Sequence, residues 1–527
     1  MSERKLVKGK IWTGNPSMKW AEAFFTEGGV IKSVGSYSEV KAFANGHEYD
    51  TLDYQDNLII PGMTDAHIHA TAYAKQDLYV NLSAVTSLYE ARTLILARAK
   101  NTPAGQWIRA INFNEAAWDN AIKPDIEFMD SLGLDNPVIM SRYCGHFHAV
   151  NTRALKESGL FDVYDVNVVR NKEGEHRGQL TEGAAGKIIE TVASIYEKPE
   201  SIKELIEKSC LKLSSLGITA VHACDAPSYA LGEDLASCQT LDEEGRLSVR
   251  WACYHDKLPS YCIKSGFGND MVFFAGFKMF ADGTLGGRTC GMLEGFNDDP
   301  ENCGLLNHTA DELFAQIGEA TKRGIQVQIH AIGDKALQET INCMSRVIET
   351  YGKPELPFRI NHAIVASPKL IEEMKKIDAI VDMQPIQAHT DRKMAPLRVG
   401  EERLKYCYAF RDMFDAGLTV TGSSDAPIED PNPWLGIWAA VTLSEFDGTP
   451  LAGFDRRQRL TLEEALSMYT VNPWKALGRE EFAGSLSLGK HADFTVVDGN
   501  PFEMDVQELR NVKHLATSLN GKLVWNL

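Results

Sequence analysis

Ile60-Pro-Gly-Met-Thr-Asp-Ala-His-Ile-His69 carries two imidazoles two residues apart, directly after the apolar run Leu58-Ile59-Ile60 and a Pro-Gly break. Residues i and i+2 of a strand share a face, so His67 and His69 can reach one metal ion. Alone, such a pair is as well explained by coincidence. Its meaning depends on whether further ligands arrive at the ends of later strands, and they do. Ile325-Gln-Val-Gln-Ile-His330 is a β-branched run ending in histidine, and Phe358-Arg-Ile-Asn-His362 repeats the arrangement. Leu418-Thr-Val-Thr-Gly-Ser-Ser-Asp425 ends in a carboxylate, and Met271 to Lys278 places a lysine in an otherwise apolar strand. Amphipathic stretches, Ala310 to Arg323 and Ser367 to Lys376, lie between them. Strand, helix, strand at this spacing predicts βα units and a parallel sheet. Polar residues at successive strand ends are where a (β/α)8 TIM barrel keeps its catalytic groups.

The set His67-x-His69, Lys278, His330, His362 and Asp425 resembles the metal-dependent amidohydrolase superfamily. It is most similar to amidohydrolase family 3, the group that includes N-substituted formamide deformylase. The resemblance covers nearly the whole chain. It takes in Cys144-Gly-His-Phe-His-Ala-Val-Asn151, Lys278-Met-Phe-Ala-Asp-Gly-Thr-Leu-Gly-Gly-Arg288, His330-Ala-Ile-Gly-Asp334, Gly422-Ser-Ser-Asp-Ala-Pro427 and Gly484-Ser-Leu-Ser-Leu-Gly-Lys-His-Ala-Asp493. Three positions depart from the family pattern: Asn361 stands before His362 in place of a glutamate, Gln384-Pro-Ile-Gln387 lacks a histidine that recurs at His389, and Cys144 replaces a common acidic residue. Substrate choice resides in such positions, so a formamide substrate does not transfer with the resemblance.

The resemblance implies two divalent metal ions, zinc by donor type. His67 and His69 would hold one ion, His330 and His362 the other, and Asp425 would bind the first while shuttling a proton. Lys278 would be carboxylated on its amine to a bridging carbamate, because a bare ammonium beside two cations is repelled. The alternative is an unmodified lysine paired with Asp282 or Asp425, and the alternative for Asp425 is a helix cap. A hydroxide between the ions would attack a carbonyl, and Asp425 would pass the proton to the leaving nitrogen. His146 would orient the carbonyl, with His148 structural. Arg288 and Asp282 contact substrate or form a loop-stabilising pair. His222 lines the cavity or is a satisfied core histidine.

Composition narrows the class. The net charge of −18 over 527 residues disfavours nucleic acid and anionic membrane as partners. Ten cysteines with no CxxC pair suit a reduced, cytoplasmic protein, and the first residues lack a signal-peptide core. No apolar run is long enough to span a membrane. The organisation expected is a β-sandwich from residues 1–60 plus 481–527 and a barrel over 61–480, with an insertion at about 80–210 near the active-site mouth. The expected activity is hydrolysis of a carbon–nitrogen bond in a small-molecule amide, N-acyl or N-formyl amine, with homo-oligomers possible by family analogy. Alternatives are a cyclic amide, carbamate or ester substrate, or a metal-free scaffold of the same fold. A scaffold has no reason to keep all six ligands.

Overall fold

The computed structural model describes residues 4–83, 85–115, 118, 122–142, 147–196, 199–225, 233–260 and 263–527. Eight parallel strands form the barrel: β1 (Met63–Ile68), β2 (Ile218–Ala223), β3 (Arg250–His255), β4 (Val272–Phe280), β5 (Gln326–Ala331), β6 (Arg359–His362), β7 (Ile380–Met383) and β8 (Thr419–Gly422). Each pairs with the next in chain order. The ring closes where the end of β1 meets the chain just past β8: the Asp425 N–H donates to the His67 carbonyl at 2.8 Å, and the His69 N–H to the Ala426 carbonyl at 2.9 Å. The fold is a (β/α)8 barrel, as the strand-end pattern predicts.

Local chemistry sets the intervening helices. Ala310–Lys322 starts at a capping box in which Thr309 and Glu312 satisfy each other's backbone donors. Pro368–Lys376 starts at the Ser367 cap with proline in its first turn, and Leu370, Ile371 and Met374 form its buried stripe. On the strands, Val327, Ile329, Ile360, Val381 and Val420 join the large apolar cluster. The alternating positions Gln328, His330, Asn361, Asp382 and Thr421 are equally buried but polar. Period-2 alternation thus sorts an apolar coat from a polar barrel interior. Gly62, ahead of β1, is required by close approach: a Cβ there would lie 2.3 Å from Thr219 Oγ1 on β2.

The chain ends share one seven-stranded sheet, ordered Lys522–Asn526, His514–Leu519, Phe494–Val497, Asp50–Pro61, Arg4–Trp12, Trp20–Glu27, Val30–Gly35. It is a single hydrogen-bonded sheet with an apolar cluster on each face. Val7 and Phe24 enter one cluster, while their neighbours Leu6 and Phe25 enter the other. The helix Tyr37–Ala44 contributes Val40 and Ala44 to the second cluster. This sheet belongs to one compact unit with the barrel, comprising Met1–Ala72 and Ile206–Leu527. A buried bidentate pair, Arg250 to Asp493 at 2.8 and 3.1 Å, ties the start of β3 to the sheet's last strands.

Tyr73–Leu205, between β1 and β2 in the chain, form a second compact unit. It holds a mixed six-stranded sheet ordered Val168–Arg170, His176–Thr181, Phe147–Val150, Val138–Arg142, Ile108–Phe113, Val80–Asn81. Val138 and Met140 pack on one face and Ile139 on the other, so both faces are covered. Among the described residues no helix is long and apolar enough to cross a membrane.

Candidate metal centre

Three side chains meet where the barrel closes. His67 lies on β1, His69 just beyond it, and Asp425 just past β8. Asp425 Oδ1 stands 3.2 Å from His67 Nε2 and 3.3 Å from His69 Nε2. One ligand atom from each of the three lies within 4.8 Å of the others. Asp425 has φ of 58° and His362 has φ of 72°, in the left-handed region that side-chain-bearing residues adopt infrequently. Such strain, costing on the order of 1–3 kcal/mol each, persists where surrounding structure enforces it, and it concentrates at functional sites.

The electrostatics call for a cation. Burial, with the positive Lys278 nearby, pushes the His67 imidazole down to about 3, so the ring stays neutral with one nitrogen lone pair free. Burial alone would raise the Asp425 carboxyl, yet His67 and His69 beside it hold it well below the usual range. Burial pulls His69 down, but Asp425 outweighs it and the net shift is upward. Asp425 Oδ1 and His67 Nδ1 are buried with no hydrogen-bond partner among the described residues. Two imidazoles and an anionic oxygen converging in this way fit a divalent ion of the zinc type.

His330, at the end of β5, and His362, at the end of β6, stand edge to face with ring centroids 4.4 Å apart, and His362 is 5.2 Å from His67. Their partners fix the tautomers. His330 Nε2 donates to the Gly283 carbonyl at 2.9 Å, leaving Nδ1 as its lone-pair nitrogen. His362 Nδ1 donates to Gln384 Oε1 at 2.7 Å, leaving Nε2. Orientation of each ring through its second nitrogen is what metal-ligating histidines require. Burial brings His330 to about 4 and His362 well below 6.5, so both are neutral. Lys278 is buried on β4, where burial lowers its amine to about 8, and its Nζ donates to Asn361 Oδ1.

Beneath these groups the barrel interior is a hydrogen-bonded core. Arg359 and Asp382 are both fully buried and joined by two bonds, Nε to Oδ2 at 3.0 Å and Nη2 to Oδ1 at 2.6 Å. Asp382 also accepts from Gln328 Nε2 at 3.0 Å, Asn361 Nδ2 at 2.7 Å and Thr421 Oγ1 at 2.6 Å. Arg359 further donates to Tyr254 Oη at 2.6 Å, His222 Nδ1 at 3.0 Å and the Ala66 carbonyl at 2.9 Å. A buried charge pair is tolerated when its remaining donors and acceptors are satisfied, as they are here.

The structure therefore brings His67, His69, Lys278, His330, His362 and Asp425 to one end of the barrel, and gives the other described candidates partners of their own. His222 is fully buried, its Nδ1 taken by Arg359, while its Nε2 has no hydrogen-bond partner among the described residues. Asp282 and Arg288 do not pair with each other. Asp282 is a buried bracket that accepts from the backbone N–H groups of Gly291, Gly333 and Ile332 at 2.9, 2.9 and 3.1 Å, with Oδ1 3.4 Å from His330 Nε2. Arg288 pairs with Asp298 at 2.8 Å. His146 lies outside the described residues. His389 is committed to the Ser444 carbonyl at 3.1 Å and to an edge contact with Trp438.

Asp65 escaped the sequence reading although it sits inside the opening motif. It accepts from the N–H groups of His67 and Ser424, both at 3.2 Å, and from the Ser424 hydroxyl, so it clamps the two ligand-bearing segments together. Its spacing two residues before His67 was the available signal.

Comparison with known proteins agrees with this geometry. The amidohydrolase family profile matches residues 50–525. YtcJ of Bacillus subtilis, an amidohydrolase by its name, is 28% identical over 98% of both chains. N-substituted formamide deformylase of Arthrobacter pascens is 25% identical, covering 99% of this chain and 98% of its own. Among solved structures, a metal-dependent hydrolase from Pyrococcus horikoshii superposes with a TM-score of 0.79 at 25% identity, covering 95% of this chain and 99% of its own. Histidines and a carboxylate converging at the barrel end, and a profile spanning nearly the full length, make this chain a hydrolytic enzyme of the amidohydrolase family.

Proposed function

We propose that the chain is a binuclear metal hydrolase of the cytoplasm that cleaves the carbon–nitrogen bond of a small-molecule amide, N-acyl amine or N-formyl amine. The observation that carries the reading is the convergence of His67, His69 and Asp425 within 4.8 Å, with two more neutral imidazoles beside them. His67, His69 and Asp425 would hold one ion, and His330 Nδ1 and His362 Nε2 the other. Divalent ions of the zinc type supply Lewis acidity and bring the pKa of water down to about 7.

The chain's own residues supply the rest. Lys278, buried and shifted down, has a free amine fraction at neutral pH that can combine with carbon dioxide. Its nitrogen lone pair forms the N–C bond, one C=O electron pair moves onto oxygen, and one N–H proton leaves to solvent. The resulting carbamate is an anion with two oxygens, suited to bridging two cations. Asp425 would take the proton of the reacting water and deliver it to the leaving nitrogen, and no covalent enzyme intermediate is needed. His146 is assigned from sequence to orient the substrate carbonyl.

Elemental analysis of protein purified without chelator, in bicarbonate, tests the reading. Two ions per chain, falling in Lys278→Ala, and turnover of an N-formyl or N-acyl amine panel are the expected results. One ion per chain that is indifferent to Lys278→Ala would remove the bridge. No bound metal under any loading condition would overturn the proposal.

A further inference from the structure

The hydrogen bonds around Asn361 run in one direction only. Asp382 is an acceptor, and its two oxygens already take donors from Arg359, Gln328 and Thr421. The end of the Asn361 amide that meets Asp382 Oδ2 at 2.7 Å must therefore be its NH2. That leaves the amide carbonyl as the only Asn361 group facing Lys278 Nζ, and Nζ donates to it. The orientation is anchored from below, because Arg359 and Asp382 are fully buried and neither can turn away.

We infer that Asn361 is a positioning residue that sets which face of the carboxylated Lys278 side chain meets the metal ions. The inference rests on the carbamate reading given above. A carbamate nitrogen keeps one N–H, and that N–H is the sole donor the modified side chain possesses. Asn361 Oδ1 accepts it. The two anionic oxygens cannot take that place, since acceptor would face acceptor between two fully buried side chains. They are turned away from Asn361 and left for the cations. Arg359, Asp382 and Asn361 thus form a relay of orientation, in which a charge pair deep in the barrel fixes an amide and the amide fixes the bridge.

The test is 13C NMR of protein equilibrated with 13C-bicarbonate and zinc, together with metal content. Wild type is expected to give one carbamate resonance and two ions per chain. Asn361→Leu, nearly the same size but without an acceptor, is expected to lose the resonance and keep one ion, the retained ion showing that the His67, His69 and Asp425 cluster is still folded. Thr421→Val, which removes one donor from Asp382 without touching Asn361, is expected to keep the resonance, a difference that a purely structural role for the network would not produce. A resonance and two ions that survive Asn361→Leu would overturn the inference while leaving the binuclear reading intact. A wild-type protein with no resonance would overturn the inference together with the carbamate reading on which it rests. Should Asn361→Leu fail to fold, a crystal structure of wild type grown with bicarbonate and zinc decides: carbamate nitrogen against Asn361 Oδ1 supports the inference, and carbamate oxygen against Asn361 Nδ2 refutes it.

Discussion

Replacing Asp382 with leucine should cost the barrel about 3–5 kcal/mol, the usual loss when one partner of a buried ion pair is removed. The structure supports that size. Arg359 loses two charge-assisted hydrogen bonds, of 3.0 and 2.6 Å, each contributing about 1.5–3 kcal/mol. It keeps only neutral acceptors, Tyr254, His222 and the Ala66 carbonyl, for a charge that cannot reach water. Gln328, Asn361 and Thr421 are left with donors aimed at an apolar side chain. Arg359→Met alone should cost less, because Asp382 retains those three donors. The double variant, apolar on both sides, should cost clearly less than the two singles added, with a coupling of about 2–3 kcal/mol. Urea titration followed by tryptophan fluorescence reads this directly, since Trp251, Trp434, Trp438 and Trp474 are all buried in the unit that contains the barrel. Costs that add within about 0.5 kcal/mol, or an Asp382→Leu protein within about 1 kcal/mol of wild type, would refute the view that this pair holds the interior together.

Asp425→Asn should keep the fold, release the ion held with His67 and His69, and lower turnover by about 10²–10⁴-fold, because both the anionic ligand and the proton carrier are gone; metal content and steady-state rates measured on the same preparation check it. Chelator treatment should abolish turnover of wild type, and zinc should restore it. His514 in the terminal sheet is held down to about 3 by burial. A depressed histidine gives stability that is whole above its unfolded value near 6.5 and is lost as pH falls toward 3, so moving from pH 7 to 4.5 should cost about 2–3 kcal/mol that His514→Leu does not lose; urea midpoints at the two pH values measure the difference. Gly62→Ala puts a Cβ against the Thr219 side chain and should destabilise by about 1–3 kcal/mol in the same titration.

The barrel was legible because some of its strands announce themselves twice, by a β-branched run and by a polar residue at the end. Ile325 to His330 and Phe358 to His362 show both marks, and the structure places their histidines side by side. What sequence could not show was pairing across the interior. Arg359 reads as a charged residue in a four-residue strand, and Asp382 as another. The register of β6 against β7 sets Asp382 opposite Asn361, with Arg359 two positions back on the same face, and the folded chain joins the two charges diagonally. The pairing offered for Asp282 with Arg288 fails for a related reason: they lie close in sequence on one loop, but the loop folds so that one carboxylate gathers backbone N–H groups while the guanidinium reaches Asp298. The left-handed turns at His362 and Asp425, which aim both side chains, have no glycine to mark them.

The sheet shared by the chain ends sets an order of events during synthesis. Asp50–Pro61 runs straight into the segment bearing His67 and His69, and one edge of it pairs with Phe494–Val497, roughly 430 residues later. At about 5–20 residues per second, the ribosome needs tens of seconds to deliver that partner. Until then the strand presents an open edge able to pair with another nascent chain. The early half of this enzyme thus waits, exposed, for its last strands, and chaperone capture should be greatest for chains stalled before residue 494.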